Sequence, residues 1–241
     1  MAKVVIATTT FYTKEDYKLR FRLAIDTIRQ AKLRSFPIVV LDVSPDPYVS
    51  KAFKKEGAEV ISKKKCGFGD GVRAAIQKAA ELSDKDGVII WQEPEKSDFV
   101  RFCKKAASII LNGKARIVVP ERTLKSLATY PIEQAHSEQF SNLCIQSITG
   151  EKYYDYYFGP KLYRKDMVPF ILSYKGKLWD AHMIPVIRAL KQGNIVDSVA
   201  VDYQHPKEQK KAEQGNWHWN KKRLFQLSYL LPIVEKEWGG K

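Results

Sequence analysis

The chain carries only three cysteines, Cys66, Cys103 and Cys144, an odd number with no CxxC spacing. That pattern excludes a disulfide framework and a cysteine-built zinc site, and the three read as reduced thiols. No apolar run approaches the roughly 18 to 20 residues that span a bilayer, and the N-terminus lacks the basic, apolar and small-residue zones of a signal peptide. The expected location is therefore cytoplasmic, or at most peripheral to a membrane. Neither a fixed-period repeat nor a long Pro/Gly/Ser linker is visible, so no internal boundary is drawn. Acidic residues are also in short supply, 27 against 41 Lys plus Arg, for a net charge of +14. A positive field favours anionic partners such as nucleotides, nucleic acid or anionic lipid. The basic runs at 63–65, 207–211 and 221–223 are equally well explained as solvated surface.

What is present alternates. An apolar β-type run at 4–7 leads into a polar turn at Thr8, Thr9 and Thr10, then into helical spacing of Tyr17, Phe21, Ala24, Ile28 and Ala31. Residues 38–41 read as a strand, 48–56 as a helix and 59–61 as a strand again. A helix over about 70–82 buries Val72, Ala75, Ile76, Ala79 and Ala80, residues 88–91 form a strand buried on both faces, and Phe99, Cys103, Ala106 and Ile110 line the next helix. Such alternation builds a mostly parallel sheet sandwiched by helices, an α/β fold whose ligands bind in loops beyond the carboxyl ends of the strands. Those loops are 8–14, 42–48, 63–70 and 92–98. After a strand at 116–119, the stretch 121–157 is polar and aromatic with weak periodicity, and is expected to cover the sheet. From Lys207 onward the chain is basic and aromatic, a tail to be packed across the domain.

Each loop has a chemical reading and a plain one. Thr8 and Thr10 open the first of these loops, a candidate nucleotide contact; Asp42 and Ser44 leave a strand end where a nucleoside would be hydrogen-bonded, though Ser44 or Asp46 equally suits a helix cap. Three glycines at 67, 69 and 71, followed by Arg73, allow a phosphate close to the backbone, without the Lys-Ser/Thr of a P-loop. Gln92, Glu93, Pro94 and Glu95 follow the most apolar strand, so the two carboxylates are metal ligands for a diphosphate or acids favoured at a helix start. Trp179, Asp180 and His182 open another helix, with Asp180 either its cap or a general base. His205 precedes Pro206 and is a candidate for a metal or a phosphate. His136 and Glu138, with neighbouring tyrosines and Trp179, offer the mixture that carbohydrate recognition uses, although aromatic clusters also build cores.

Taken in order, these segments resemble the GT-A glycosyltransferases of the large inverting family that includes dolichyl-phosphate mannose synthases. Residues 39–46 (VVLDVSPD) are similar to that family's V-V-D-D-G-S-x-D, and residues 67–75 to its glycine- and alanine-rich helix start. Residues 158–165 (FGPKLYRK) look like its S-G-F-R-L-Y-R-R segment, and Trp179-Asp180 with residues 187–193 like its acidic motif and following helix. The resemblance spans most of residues 3–206. It implies that Asp42 contacts the base, that Asp180 is the general base, that Lys161 and Arg164 approach acceptor or phosphate, and that His205 serves metal or diphosphate. One departure stands out: where the family has Asp-x-Asp, this chain has Glu93-Pro94-Glu95, displaced by one residue. A Mn or Mg ion is the implied cofactor, or else Lys96 or Arg164 neutralises phosphate without one.

The expected layout is a single GT-A-like domain over 1–241: a nucleotide-binding half (1–120), an acceptor and catalytic half (121–206) and the basic C-terminal segment (207–241). The expected activity moves a sugar from a nucleoside-diphosphate sugar to an acceptor hydroxyl by direct displacement, with an anionic acceptor such as nucleic acid or phospholipid within reach of the charge. Two rivals remain: a noncatalytic nucleic-acid-binding protein using Trp217, His218, Trp219, Lys221, Lys222 and Arg223, or a nucleotidyltransferase.

Overall fold

The computed structural model describes residues 2–14 and 18–239. Its centre is a seven-stranded sheet of β1 (Ala2–Thr10), β2 (Ile38–Asp42), β3 (Glu59–Ser62), β4 (Ser83–Trp91), β5 (Ile117–Arg122), β6 (Lys161–Arg164) and β7 (Val196–Val201). The spatial order is β3-β2-β1-β4-β6-β5-β7. Only β6 runs antiparallel, between β4 and β5; every other pair is parallel.

Helices cover both faces because the strands are apolar on both. In β4, Val88 and Ile90 face one core and Ile89 and Trp91 the other. The first core packs under α1 (Arg20–Leu33), α2 (Pro47–Glu56) and α4 (Cys103–Leu111). The second packs under α3 (Phe68–Leu82), α7 (Val168–Ser173), α8 (Asp180–Lys191) and α10 (Trp217–Gly239). Short α5 (Leu124–Leu127), long α6 (Ile132–Thr149) and α9 (Lys207–Glu213) complete the chain. Local rules set the helix ends. Asp46 caps α2 by accepting from Tyr48 N–H at 2.8 Å, Pro47 occupies its first turn, and Gly57 ends it at φ 103°.

Several boundaries differ from the sequence expectation. β1 runs through Thr10, so the threonines expected in a turn belong to the strand, where Thr10 pairs with Asp42 across the ladder. The helix after β4 begins as a 3-10 segment, Ser97–Phe102. The stretch 121–157 contains α6, which buries polar Gln134, Glu138, Ser141 and Asn142, so hydropathy alone could not show its period. The last strand is Val196–Val201. Tyr17, expected on the first helix, lies outside the described residues. The C-terminal tail is helical, and α10 packs against α6 and α8. Among the described residues no helix is long and apolar enough to cross a membrane.

Candidate functional site

In the strand order β3-β2-β1-β4 the chain first builds outward from β1 on one side and then returns to its other side. Parallel sheets open a crevice at such a reversal, beyond the strands' carboxyl ends. A cavity of about 470 Å³ lies there, floored by Thr9 and Thr10 of β1, Leu41 and Val43 at the end of β2, and residues 93–96 after β4. Its walls come from Gly67, Phe68 and Gly71 of the glycine turn, Trp179 and His182 of α8, His205, and Lys222, Arg223 and Gln226 of α10.

The acidic loop enters this cavity with its charges already matched. Glu95 accepts from the Tyr12 hydroxyl at 2.9 Å and lies 3.9 Å from Arg20. Glu93 sits directly over Gly159, where an added Cβ would meet its carboxylate at 1.9 Å, and is 3.8 Å from the Lys96 ammonium. Lys96 is enclosed by the rings of Tyr130, Phe158 and Tyr203 at 5.6, 4.9 and 5.1 Å. Burial works to lower its pKa, but Glu93, Tyr130 and Glu138 hold it above the ordinary lysine value, so it stays a cation.

Behind this loop, Arg122 binds both oxygens of Asp155 at 2.7 Å and Glu138 at 2.7 Å. Burial would raise the Asp155 pKa, yet Arg122 keeps it below the usual carboxylate range. Glu138 faces the cavity and also lies 3.6 Å from Arg223. His205 packs against Tyr130, the rings tilted by 32° with centroids 4.4 Å apart, and neither ring nitrogen has a hydrogen-bond partner among the described residues. Burial, with Lys96 and Arg223 nearby, lowers its pKa to about 2, and burial with Lys161 lowers that of His182 to about 3. Both imidazoles are therefore neutral.

Of the residues singled out in the sequence, Thr10, Glu93, Glu95, Glu138, Trp179, His182 and His205 reach this cavity. Thr8, Asp42, Ser44, Gly69, Arg73, Gln92, His136, Lys161, Arg164 and Asp180 do not line it. Thr8 is buried inside the sheet with its hydroxyl unpartnered among the described residues, and Gln92 is buried with its amide donating to Lys96 O at 3.4 Å. Asp42 is a hub, accepting from Thr10 at 2.9 Å, the Ser44 hydroxyl at 2.6 Å and Ser50. Ser44 in turn accepts from Tyr12 N–H at 2.9 Å, so the pair shapes the cavity floor from below.

Gly69 and Arg73 meet protein where a phosphate was expected. A Cβ on Gly69 would fall 1.9 Å from Gly176 O, and Arg73 donates to Tyr174 O and Gly176 O at 3.2 and 2.8 Å. The glycine turn is thus close because the 174–177 loop docks on it. Asp180 is buried too: one carboxylate oxygen accepts from Leu178 N–H at 2.7 Å and the other from Tyr174 OH at 3.0 Å. It ties that loop to α8 rather than lining the cavity. Lys161 points into the interior, its ammonium held by the carbonyls of residues 156 and 158–160, and burial lowers its pKa to about 7. Arg164 pairs with Val88, three residues back along β4 from Trp91, and binds Asp166; His136 is exposed beside a separate groove with Leu127 and Lys210. Neither lines this cavity.

Tyr12, Arg20, Glu213 and Gln226 were missed. They come from separate helices and loops, with no motif joining them. Lys222 and Arg223 were visible as a basic run and were assigned to a nucleic-acid patch.

A metal was implied by the resemblance, and the geometry tests it. In favour are Glu93 Oε2 and the two His205 nitrogens, buried and without hydrogen-bond partners among the described residues. Against it, no group of three His, Cys, Asp or Glu converges among the described residues. Glu95 is bound by Tyr12 and faces Arg20, and Lys96 already stands beside Glu93. A divalent cation would be inserted among fixed positive charges, so the residues present do not fit it well.

The architecture and the position of the cavity define the GT-A fold of nucleotide-diphospho-sugar transferases, as the resemblance implied. Solved structures agree. Glucosyl-3-phosphoglycerate synthase from Mycobacterium tuberculosis, in complex with Mn2+, uridine-diphosphate-glucose and phosphoglyceric acid, superposes with a TM-score of 0.65 at 10% identity, covering 99% of this chain and 80% of that one. CMP:2-keto-3-deoxy-manno-octonic acid synthetase complexed with CTP superposes at 0.54 and 13% identity, covering 95% and 100%. No protein-family model matches the chain, and no curated protein matches it in sequence.

Proposed function

We propose that the protein is a glycosyltransferase that takes its sugar from a nucleoside-diphosphate donor. The observation that carries this reading is the cavity at the strand reversal, large enough for a cofactor-sized ligand and lined on one side by the acidic loop and on the other by cations of α1 and α10. The GT-A neighbours include a synthase holding a nucleotide sugar and a synthetase holding CTP, which bring a donor and a rival to this same fold. The neutral imidazoles of His182 and His205, with Glu93, supply acceptors and donors suited to sugar hydroxyls.

In this reading the bond between the sugar's C1 and the β-phosphate oxygen breaks, and its electron pair leaves with the nucleoside diphosphate. C1 bonds to the acceptor oxygen, whose proton is released to solvent. Asp180 acts as a positioning residue, fixing Trp179 and His182 on the wall through its hold on residues 174–178. Residues from all three expected segments, 1–120, 121–206 and 207–241, contribute to the one site. A phosphorylated acceptor suits the net charge of +14.

A thermal-shift screen of nucleoside-diphosphate sugars against nucleoside triphosphates tests the reading, because a ligand that binds only the folded state raises the melting temperature. Stabilisation by one family of sugar nucleotides is the expected result. Stabilisation by triphosphates alone would favour nucleotidyl transfer, and stabilisation by neither would remove the donor site.

A further inference from the structure

The carboxylates that a metal would need are ion-paired with protein cations, whereas one cation lining the cavity makes no ion pair of its own among the described residues. Arg20 and Arg223 share Glu213, at 3.2 and 3.5 Å, and lie 3.9 and 3.6 Å from Glu95 and Glu138. Lys222, half-buried between them, makes no ion pair among the described residues. Its ammonium is held by the rings of Trp219 at 4.9 Å and Trp179 at 5.9 Å, and the Arg20 guanidinium lies over the same Trp219 at 4.4 Å.

We propose that Lys222, flanked by Arg20 and Arg223, binds the donor's diphosphate and takes up the charge that develops on it as the sugar departs, in place of a divalent metal ion. The inference rests on the donor reading above and adds how the leaving group is stabilised. Preorganised cations facing the place where charge develops stabilise a transition state without reorganising at the moment of reaction. The residues are well placed for this. Trp219 fixes Arg20 and Lys222 relative to each other, and α1 and α10 bring them to one mouth from distant parts of the sequence. Burial, then the nearby Arg223 and Arg20 charges, lowers the Lys222 pKa to about 8, with Glu213 and Glu95 offsetting only part of the effect. An anion bound there would relieve the repulsion among the three, while a metal dication would add to it. Lys96 cannot serve instead, because its ammonium is enclosed by three rings and Glu93.

Titration calorimetry of the full chain with UDP, GDP, ADP and CDP, in excess EDTA and again in excess MnCl2, decides the matter. The expected result is that the best diphosphate binds in EDTA with a Kd within about twofold of that in Mn2+. Lys222→Gln should weaken it by about tenfold or more, the loss of one charge-assisted contact, and Lys222→Arg should restore most of that loss. Unchanged melting temperatures would show that the variants are folded; should Lys222→Gln unfold, a wild-type affinity in EDTA that falls steeply with added NaCl serves in its place. Binding that appears only with Mn2+, or an unchanged affinity in folded Lys222→Gln, would overturn the proposal while leaving the donor reading intact. Binding of no diphosphate in either buffer would overturn both.

Discussion

Replacing Gly69 by alanine tests what the glycine turn is for. Alanine is the better helix former by about 1 kcal/mol, so at this position near the start of α3 it would stabilise the protein if space were open. Space is not open. The added Cβ would fall 1.9 Å from Gly176 O, 2.8 Å from its carbonyl carbon and 3.1 Å from Lys177 C, all backbone atoms with no rotamer to change. The Gly69 N–H also donates to Lys177 O at 3.0 Å, and Arg73 clamps the same segment, so the loop can yield only by leaving its seat. Overpacking of this kind costs about 1 to 3 kcal/mol. In a chain of this size that lowers the melting temperature by about 2 to 12 °C. Gly71→Ala is the internal comparison, since its Cβ would meet only the side chains of Thr9 and Leu41, at 3.2 and 3.3 Å, and should be milder. Differential scanning calorimetry of the two variants reads the difference directly. A Gly69→Ala protein as stable as wild type, or more so, would refute the docking of residues 174–177 on the turn.

Three further outcomes are expected. Acid should destabilise the protein early, because the folded pKa values of His182 and His205 lie at about 3 and about 2, below the usual value of 6.5. Between these limits the unfolded chain binds protons that the folded chain refuses, so stability falls as the pH drops below 6.5; between pH 7.5 and 5.5 the two together lose about 3 kcal/mol. Urea titrations at the two pH values measure it, and a flat or rising stability would contradict the neutral, buried assignment. Asp180→Asn should keep turnover within about tenfold if the carboxylate only positions residues 174–178, whereas loss of a general base costs about a hundredfold or more. A hundredfold drop with melting temperature and donor affinity unchanged would restore Asp180 to the base role. Arg122→Leu strands the Asp155 and Glu138 carboxylates, and should cost about 3 to 5 kcal/mol of stability in urea unfolding, the usual penalty for breaking a buried pair; a change under about 1 kcal/mol would show that the pairing is not what holds that wall.

The fold was legible because its central strands are apolar on both faces and its helices carry short-period stripes, as in α3, whose Val72, Ala75, Ile76 and Ala79 all face the sheet. α6 escaped because it buries glutamine, glutamate, serine and asparagine against the Arg122 network, a polar interior that a hydropathy pattern cannot distinguish from a surface. The site was only half legible for a related reason. A sequence shows which residue leaves a strand end but not what it meets there. Asp42 and Asp180 stand where a ligand-binding carboxylate would, yet Ser44 and Ser50 engage the one, and Leu178 N–H and Tyr174 the other. Arg164 is three residues along β6 from Lys161, and an antiparallel strand carries those three residues away from the cavity. Conversely, Lys222 and Arg223 came into the site because α10 folds back over α6 and α8, a long-range arrangement with no local signature.

The central claim is that the cavity holds a sugar nucleotide and cleaves it on the sugar side of its diphosphate. The most direct measurement is the identity of the nucleotide released when the intact protein is incubated with a sugar nucleotide that stabilises it. Release of the nucleoside diphosphate, whether the sugar passes to an acceptor or slowly to water, is the expected result. Release of pyrophosphate from a nucleoside triphosphate, with sugar nucleotides left intact, would contradict it and assign the same fold to nucleotidyl transfer.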